Sequence, residues 1–197
     1  NLQWLRGESL VATKYYIGIA HGAIRGVTPD MKNEYFLMDE KELREIPVDV
    51  WLIGHTHVPY PENVPVDDLA EGFSIFNAGT HEQTDLSCRT EGNGFLICID
   101  EKKKILAKRF VCGKIRYYDL KVKLEQKPVE QQLSACFEGI DRENAVVRLV
   151  LTGSINSEQY KERGEIYRKF EEQFLSMEIQ DSELSEQISE EKLKDEF

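Results

Sequence analysis

Long hydrophobic runs are missing from this sequence. No apolar stretch approaches the ~18 residues required of a membrane-crossing helix, and no basic, then apolar, then small-residue opening marks a secretory leader. The expectation is a cytoplasmic protein with no membrane partner. The first residue is Asn1 rather than methionine, which points to a processed product or a fragment. Paired cysteines are missing as well. Cys88, Cys98, Cys112 and Cys136 lie far apart with no Cys-x-x-Cys, which argues against a zinc ribbon or a thioredoxin-type site and gives no disulfide scaffold. Cys98, inside the apolar run FLICI, reads as a small core residue. The third absence is an excess of positive charge. With 25 Lys and Arg against 36 Asp and Glu, the net charge of −11 makes a poor nonspecific binder of nucleic acid. A metal-lined cleft can still be locally positive, so a phosphodiester substrate stays open.

The charge is spread unevenly. Residues 1–113 carry 12 basic and 17 acidic side chains, residues 114–177 carry 11 of each, and residues 178–197 hold eight acids against two lysines. The length of 197 residues accommodates one good domain, or a smaller piece with an appendage, and a hydrophobic content of 41% suits a globular protein.

The stretch Val50 to His57, VWLIGHTH, organises what is present. Val50 to Ile53 have the pattern of a strand buried on both faces. Gly54 ends the run, and two histidines separated by one residue follow, His55 and His57. In a turn after a strand such a pair can diverge and grip neighbouring metal ions, since neutral imidazole is a common ligand of borderline divalent metals. Taken alone, Gly-His-x-His is equally compatible with ordinary polar loop residues. A second stretch repeats the pattern: KYYIGIA, Lys14 to Ala20, is a β-prone strand ending in His21-Gly22. Asp39 to Ile46 reads as a short helix with acids in its first turn, closed by Pro47. After His57 a proline-rich loop leads to a strand at Phe73 to Phe76, which ends in Asn77-Ala78-Gly79-Thr80-His81. Small residues there allow backbone N–H groups to face a bound anion or a metal site, which makes Asn77, Gly79, Thr80 and His81 candidate substrate-binding residues.

Gly94 to Asp100 and Lys104 to Val111 read as antiparallel strands joined by a basic turn. Its lysines are a solvated hairpin tip, with a phosphate contact as the alternative. Beyond Gly113 the pattern becomes β-α-β-α with room for one more strand: Ile115 to Leu124, Val129 to Phe137, Ala145 to Leu151, then a helix capped by Asn156 or Ser157. Tyr160, Tyr167, Phe170, Phe174 and Met177 form its apolar stripe. Residues 182–197 read as a weakly amphipathic acidic helix carrying Leu184, Ile188, Leu193 and Phe197, either frayed or a docking segment.

Strand-His-Gly, then strand-Gly-His-Thr-His, then strand-Asn-Ala-Gly-Thr resembles the second half of a calcineurin-like metallophosphoesterase. The run NAGTHEQTDLSCRTEGNGFLICID further resembles the DNA-repair exonucleases of the SbcD type. The resemblance implies an α/β (α+β) fold: the C-terminal part of a metallophosphoesterase β-sandwich flanked by helices over residues 1–113, a small βαβα capping domain over 114–181, and the acidic tail 182–197. By this resemblance His21 and His55 would hold one metal ion and His57 the other. The resemblance implies two divalent ions, Mn²⁺ foremost with Fe or Zn²⁺ as alternatives, hydrolysing a phosphodiester with the ions ~3.5–4 Å apart. It also implies DNA duplex ends as substrate, an SMC-like ATPase as partner docked by the tail, and the N-terminal half of the same enzyme, with a homodimer left open.

The sequence departs from that family in one respect. The Asp-x-His, Gly-Asp-x-x-Asp and Gly-Asn-His-Asp/Glu motifs of the first half are absent, and with them the bridging carboxylate and the leaving-group histidine. This chain alone is therefore expected to be catalytically silent. Two other readings remain at this point: a metallophosphoesterase acting on a small phosphodiester or phosphomonoester, and a noncatalytic binding module.

Overall fold

The computed structural model describes residues 2, 5, 14–27 and 36–187. The chain is of mixed α/β type and divides at Lys114/Ile115 into two compact units, with Asp85–Ser87 grouped with the second. Among the described residues no helix is long and apolar enough to cross a membrane.

The first unit is built on a parallel sheet of four strands: β1 (Ile17–Ile24), β2 (Leu37–Met38), β3 (Val50–His55) and β4 (Ile75–Phe76), in the order β2-β1-β3-β4. A single helical turn, α1 (Glu40–Arg44), precedes β3. One face of the sheet carries Trp51, Ile53 and Ile75, which bury against Leu43 and Ile46. The Trp51 indole N–H donates to the Leu43 carbonyl at 3.0 Å, so the largest core side chain also satisfies its polar atom. The other face carries Val50 and Phe76, covered by an antiparallel hairpin of β5 (Asn93–Ile99) and β6 (Ile105–Val111). That hairpin is tied in turn by two 2.9 Å backbone hydrogen bonds between Ala70 and Ala107. The cover stops short of β1, where Ile17 is 55% and Ile19 80% exposed.

β1 runs past its expected end. Its residues 17–22 pair with β3, and Ala23 and Ile24 then pair with β2 on the other side. His21 therefore stands inside a strand rather than after one. Cys98 is also not where the apolar run suggested. Phe95, Ile97 and Ile99 pack inward along β5, and the two-residue period turns Cys98 outward, where it is exposed. At the β5–β6 turn, Lys103 pairs with Asp49 (3.1 Å) and Lys104 with Glu71 (2.6 Å).

The second unit is a β-α-β-α-β arrangement: β7 (Arg116–Leu124), α2 (Val129–Cys136), β8 (Ala145–Asn156), α3 (Ser157–Glu171) and β9 (Ser176–Gln187). Its three strands are parallel in the order β7-β8-β9. Val147, Leu149 and Leu151 of β8 bury against Leu133 from α2, Phe137 just after it, and Tyr167 and Phe170 from α3. The Phe137 ring meets Phe174 edge-on at 4.8 Å. Asn156 caps α3, its side-chain oxygen accepting from the Gln159 N–H at 2.9 Å.

The expected helix over 182–197 is corrected at its start. Residues 182–187 complete β9, paired to β8 through Thr152↔Glu183 and on to Asn156↔Gln187. The pairing shifts between Val150 and Thr152, where β9 spends one extra residue. This bulge moves the inward position from Ile179 to Leu184, so Leu184 is buried by an extended strand rather than by a helical stripe. Residues 188–197, with Ile188, Leu193 and Phe197, lie outside the described residues.

Candidate functional site

Parallel strands bring their C-terminal ends to one edge, and side chains placed there are held by the sheet behind them. The β1–β3 register sets His21 opposite Gly54 and Gly22 opposite His55. Two of the four histidines, 34 residues apart in sequence, thereby become neighbours. His55 Nδ1 lies 3.0 Å from His21 Nε2. The ring centroids are 4.8 Å apart and the planes cross at 74°. Gly22 is required at this crossing, because a β-carbon there would stand 2.2 Å from the Phe36 carbonyl oxygen.

His55 carries a φ of +129°. A side-chain-bearing residue in that region costs about 1–3 kcal/mol and persists only where its surroundings over-determine it. The surroundings here are polar and buried. Thr56 and Asn77 are 8% and 1% exposed, and the Asn77 amide nitrogen donates to the Thr56 hydroxyl. Asn77 Oδ1 accepts from the Gly79 N–H at 2.9 Å. The Asn77 backbone exchanges two 2.8 Å hydrogen bonds with Tyr60, so the chain after His57 folds back onto the strand that carries Asn77. Gly79, at φ +72°, passes so close to His57 that a β-carbon would stand 2.9 Å from its carbonyl oxygen.

The remaining candidates fall into two groups. His57 and His81 are exposed. The His81 carbonyl accepts from the Cys112 thiol at 3.3 Å. The side chains of Asn77 and Thr80 face inward: Asn77 bonds to Thr56 and Gly79, and the Thr80 hydroxyl oxygen is buried. The expectation for this turn concerned its backbone N–H groups, of which that of Gly79 is given to Asn77 Oδ1. Asn93 completes the loop, donating from its side chain to the Ala78 carbonyl at 3.2 Å and from its backbone to Thr80 at 2.8 Å.

Near this loop the Cys88 thiol is held below its ordinary value. Burial raises it, but hydrogen bonds with Thr90, the Thr84 backbone and Thr80 together outweigh burial. On the α1 side, burial followed by the Glu40 carboxylate pushes the Tyr60 phenol up to about 12. The Arg44 guanidinium, then Tyr60, hold Glu40 below the ordinary carboxylate range.

Two imidazole nitrogens 3.0 Å apart either share one proton or present their lone pairs to one cation. Two nitrogens about 2.1 Å from an ion would stand about 3.0 Å apart at the right angle of an octahedral site and about 3.4 Å apart in a tetrahedral one, so the spacing matches the octahedral case more closely. Among the described residues no group of three or more His, Cys, Asp or Glu side chains is placed to hold a metal ion. The pair by itself offers two nitrogens, fewer than the ligands of a complete coordination sphere. Thr56 was missed in the sequence; its only signal was its place between two histidines. No protein-family model matches this chain, and no curated protein matches it.

Proposed function

We propose that this chain is the C-terminal part of a metal-dependent phosphoesterase of the calcineurin-like type, and within it of the SbcD-type nucleases that act on DNA ends in the cytoplasm. The observation that carries the reading is the His21–His55 pair: adjacent imidazoles at the C-terminal edge of a parallel sheet, one of them on a strained backbone. Strain of this kind clusters at functional sites. His21 and His55 would hold one ion, and His57 would serve a second. Bound divalent ions, Mn²⁺ foremost, supply Lewis-acid stabilisation of the phosphoryl oxygens and a nucleophilic water at neutral pH. The chain's own contribution is to orient imidazoles on a rigid sheet edge and to offer Gly79 and His81 at the mouth of the loop.

The uncovered apolar surface of Ile17 and Ile19 on β1 and the 37%-exposed Leu52 beside them on β3 supports a further part of the reading. It is the surface we assign to the N-terminal half of the enzyme, which would bring the bridging carboxylate. The second unit is then the capping domain that selects DNA by shape, and an SMC-like ATPase is the partner.

Calorimetric titration of the chain with Mn²⁺ and Zn²⁺ tests the reading. Weak binding is expected, lost in His21→Ala and in His55→Ala. Binding that survives both substitutions would overturn it. The chain alone should not cleave DNA ends, and manganese-dependent cleavage abolished by His57→Ala would refute that expectation. Hydrolysis of a nitrophenyl phosphodiester without action on DNA ends by the full enzyme would move the assignment to a small substrate.

A further inference from the structure

We infer that Asn77 and Thr56 form a buried clasp that sets the conformation of His55, making Asn77 a positioning residue of the histidine pair rather than a substrate contact. The inference rests on reading His21 and His55 as a ligand pair.

His55 sits at φ +129° at the end of β3, where the strand could as well have continued extended. Something must hold it there, and the next residue is the point of attachment. Thr56 turns its hydroxyl inward, and at 8% exposure it has little water to bond instead. Its partner, the Asn77 amide, is 1% exposed and belongs to the segment following β4, the strand beside β3. Asn77 is itself fixed from three directions: its side-chain oxygen by the Gly79 N–H, and its backbone N–H and carbonyl by Tyr60. Tyr60 is three residues past His57, so the Gly-His-Thr-His turn is anchored at its middle through Thr56 and closed at its far end through Tyr60, both on the same asparagine. A buried amide that loses its acceptor costs far more than an exposed one. The turn therefore cannot relax His55 without leaving the Asn77 donor unpaired.

Substituting the hydroxyl isolates the clasp. Thr56→Val removes it at nearly constant shape, and Thr56→Ser keeps it. Ile155→Val, in the core of the second unit, serves as a control for general destabilisation. Each full chain is titrated with Zn²⁺ by calorimetry, and its imidazole ¹⁵N shifts are recorded without metal. Thr56→Val should move the His21 and His55 shifts and weaken Zn²⁺ binding about tenfold. Thr56→Ser should stay within about twofold of the parent, and Ile155→Val should lower the melting temperature while leaving both readouts unmoved. Parental shifts and affinity in Thr56→Val would overturn the clasp. If Thr56→Val does not fold, Asn77→Asp, which keeps the Gly79 acceptor and loses the amide donor, is judged by the same two readouts. A parent chain that binds no Zn²⁺ would defeat the metal reading, and the metal-free imidazole shifts would still decide the clasp.

Discussion

The ring of Trp51 lies across Gly18 on the neighbouring strand, so close that a β-carbon on Gly18 would stand 2.4 Å from it. The two are register partners in the β1–β3 pair, and glycine there gives the indole a flat bed from which its N–H reaches the Leu43 carbonyl. Gly18→Ala forces the indole away from that bed. A loss of about 1–3 kcal/mol in urea denaturation is expected, of the size of other overpacked cores. An unchanged midpoint would mean that the ring has room to move.

His55→Gly and His55→Ala should part company. Both lose the His21 contact, but glycine accepts φ +129° without a β-carbon clash while alanine keeps it. His55→Gly is therefore expected to be the more stable variant by about 1 kcal/mol. Equal melting temperatures would show that the backbone relaxes at no cost.

Alkaline pH should loosen the first unit. The Tyr60 phenol is pushed up to about 12 by burial and then by Glu40, so folding favours its neutral form. That stability is complete below the unfolded phenol value of ~10 and is lost as pH rises through the folded one. Tyr60→Phe should flatten the fall in melting temperature above pH ~10. A slope identical to the parent's would assign the alkaline loss to other groups.

At the β9 bulge, Asp181 accepts from the Arg163 Nε at 2.9 Å and from the Tyr167 hydroxyl at 3.4 Å. The pair is about two-thirds buried, with side chains 30% and 32% exposed. Asp181→Ala should cost about 1–2 kcal/mol, as for a partly screened hydrogen bond to a charged group. A double-mutant cycle with Arg163→Met should return a favourable coupling. Additive losses would mean that the two residues act independently.

Sequence and tertiary structure divided the information by range. Local patterns were sufficient for most elements: the apolar run of Val50 to Ile53, the alternating strands of the β5–β6 hairpin, and the Asn156 cap of α3 all rest on neighbours within a few residues. They failed where a nonlocal partner reset the pattern. Pairing to β2 carried β1 past His21, and pairing to β8 kept residues 182–187 extended where the local pattern read as a helix. The outward turn of Cys98 followed from the two-residue period of a strand covered on one side only. The same division runs through the site. His21, His55 and His57 were legible as candidate ligands, because imidazoles beside glycines at strand ends are conspicuous in sequence. That His21 and His55 meet at 3.0 Å was decided by the parallel register of two strands. The inward placement of Asn77 was decided by burial, since an asparagine reads the same in sequence whether it points outward or, as here, donates to Thr56 inside the protein.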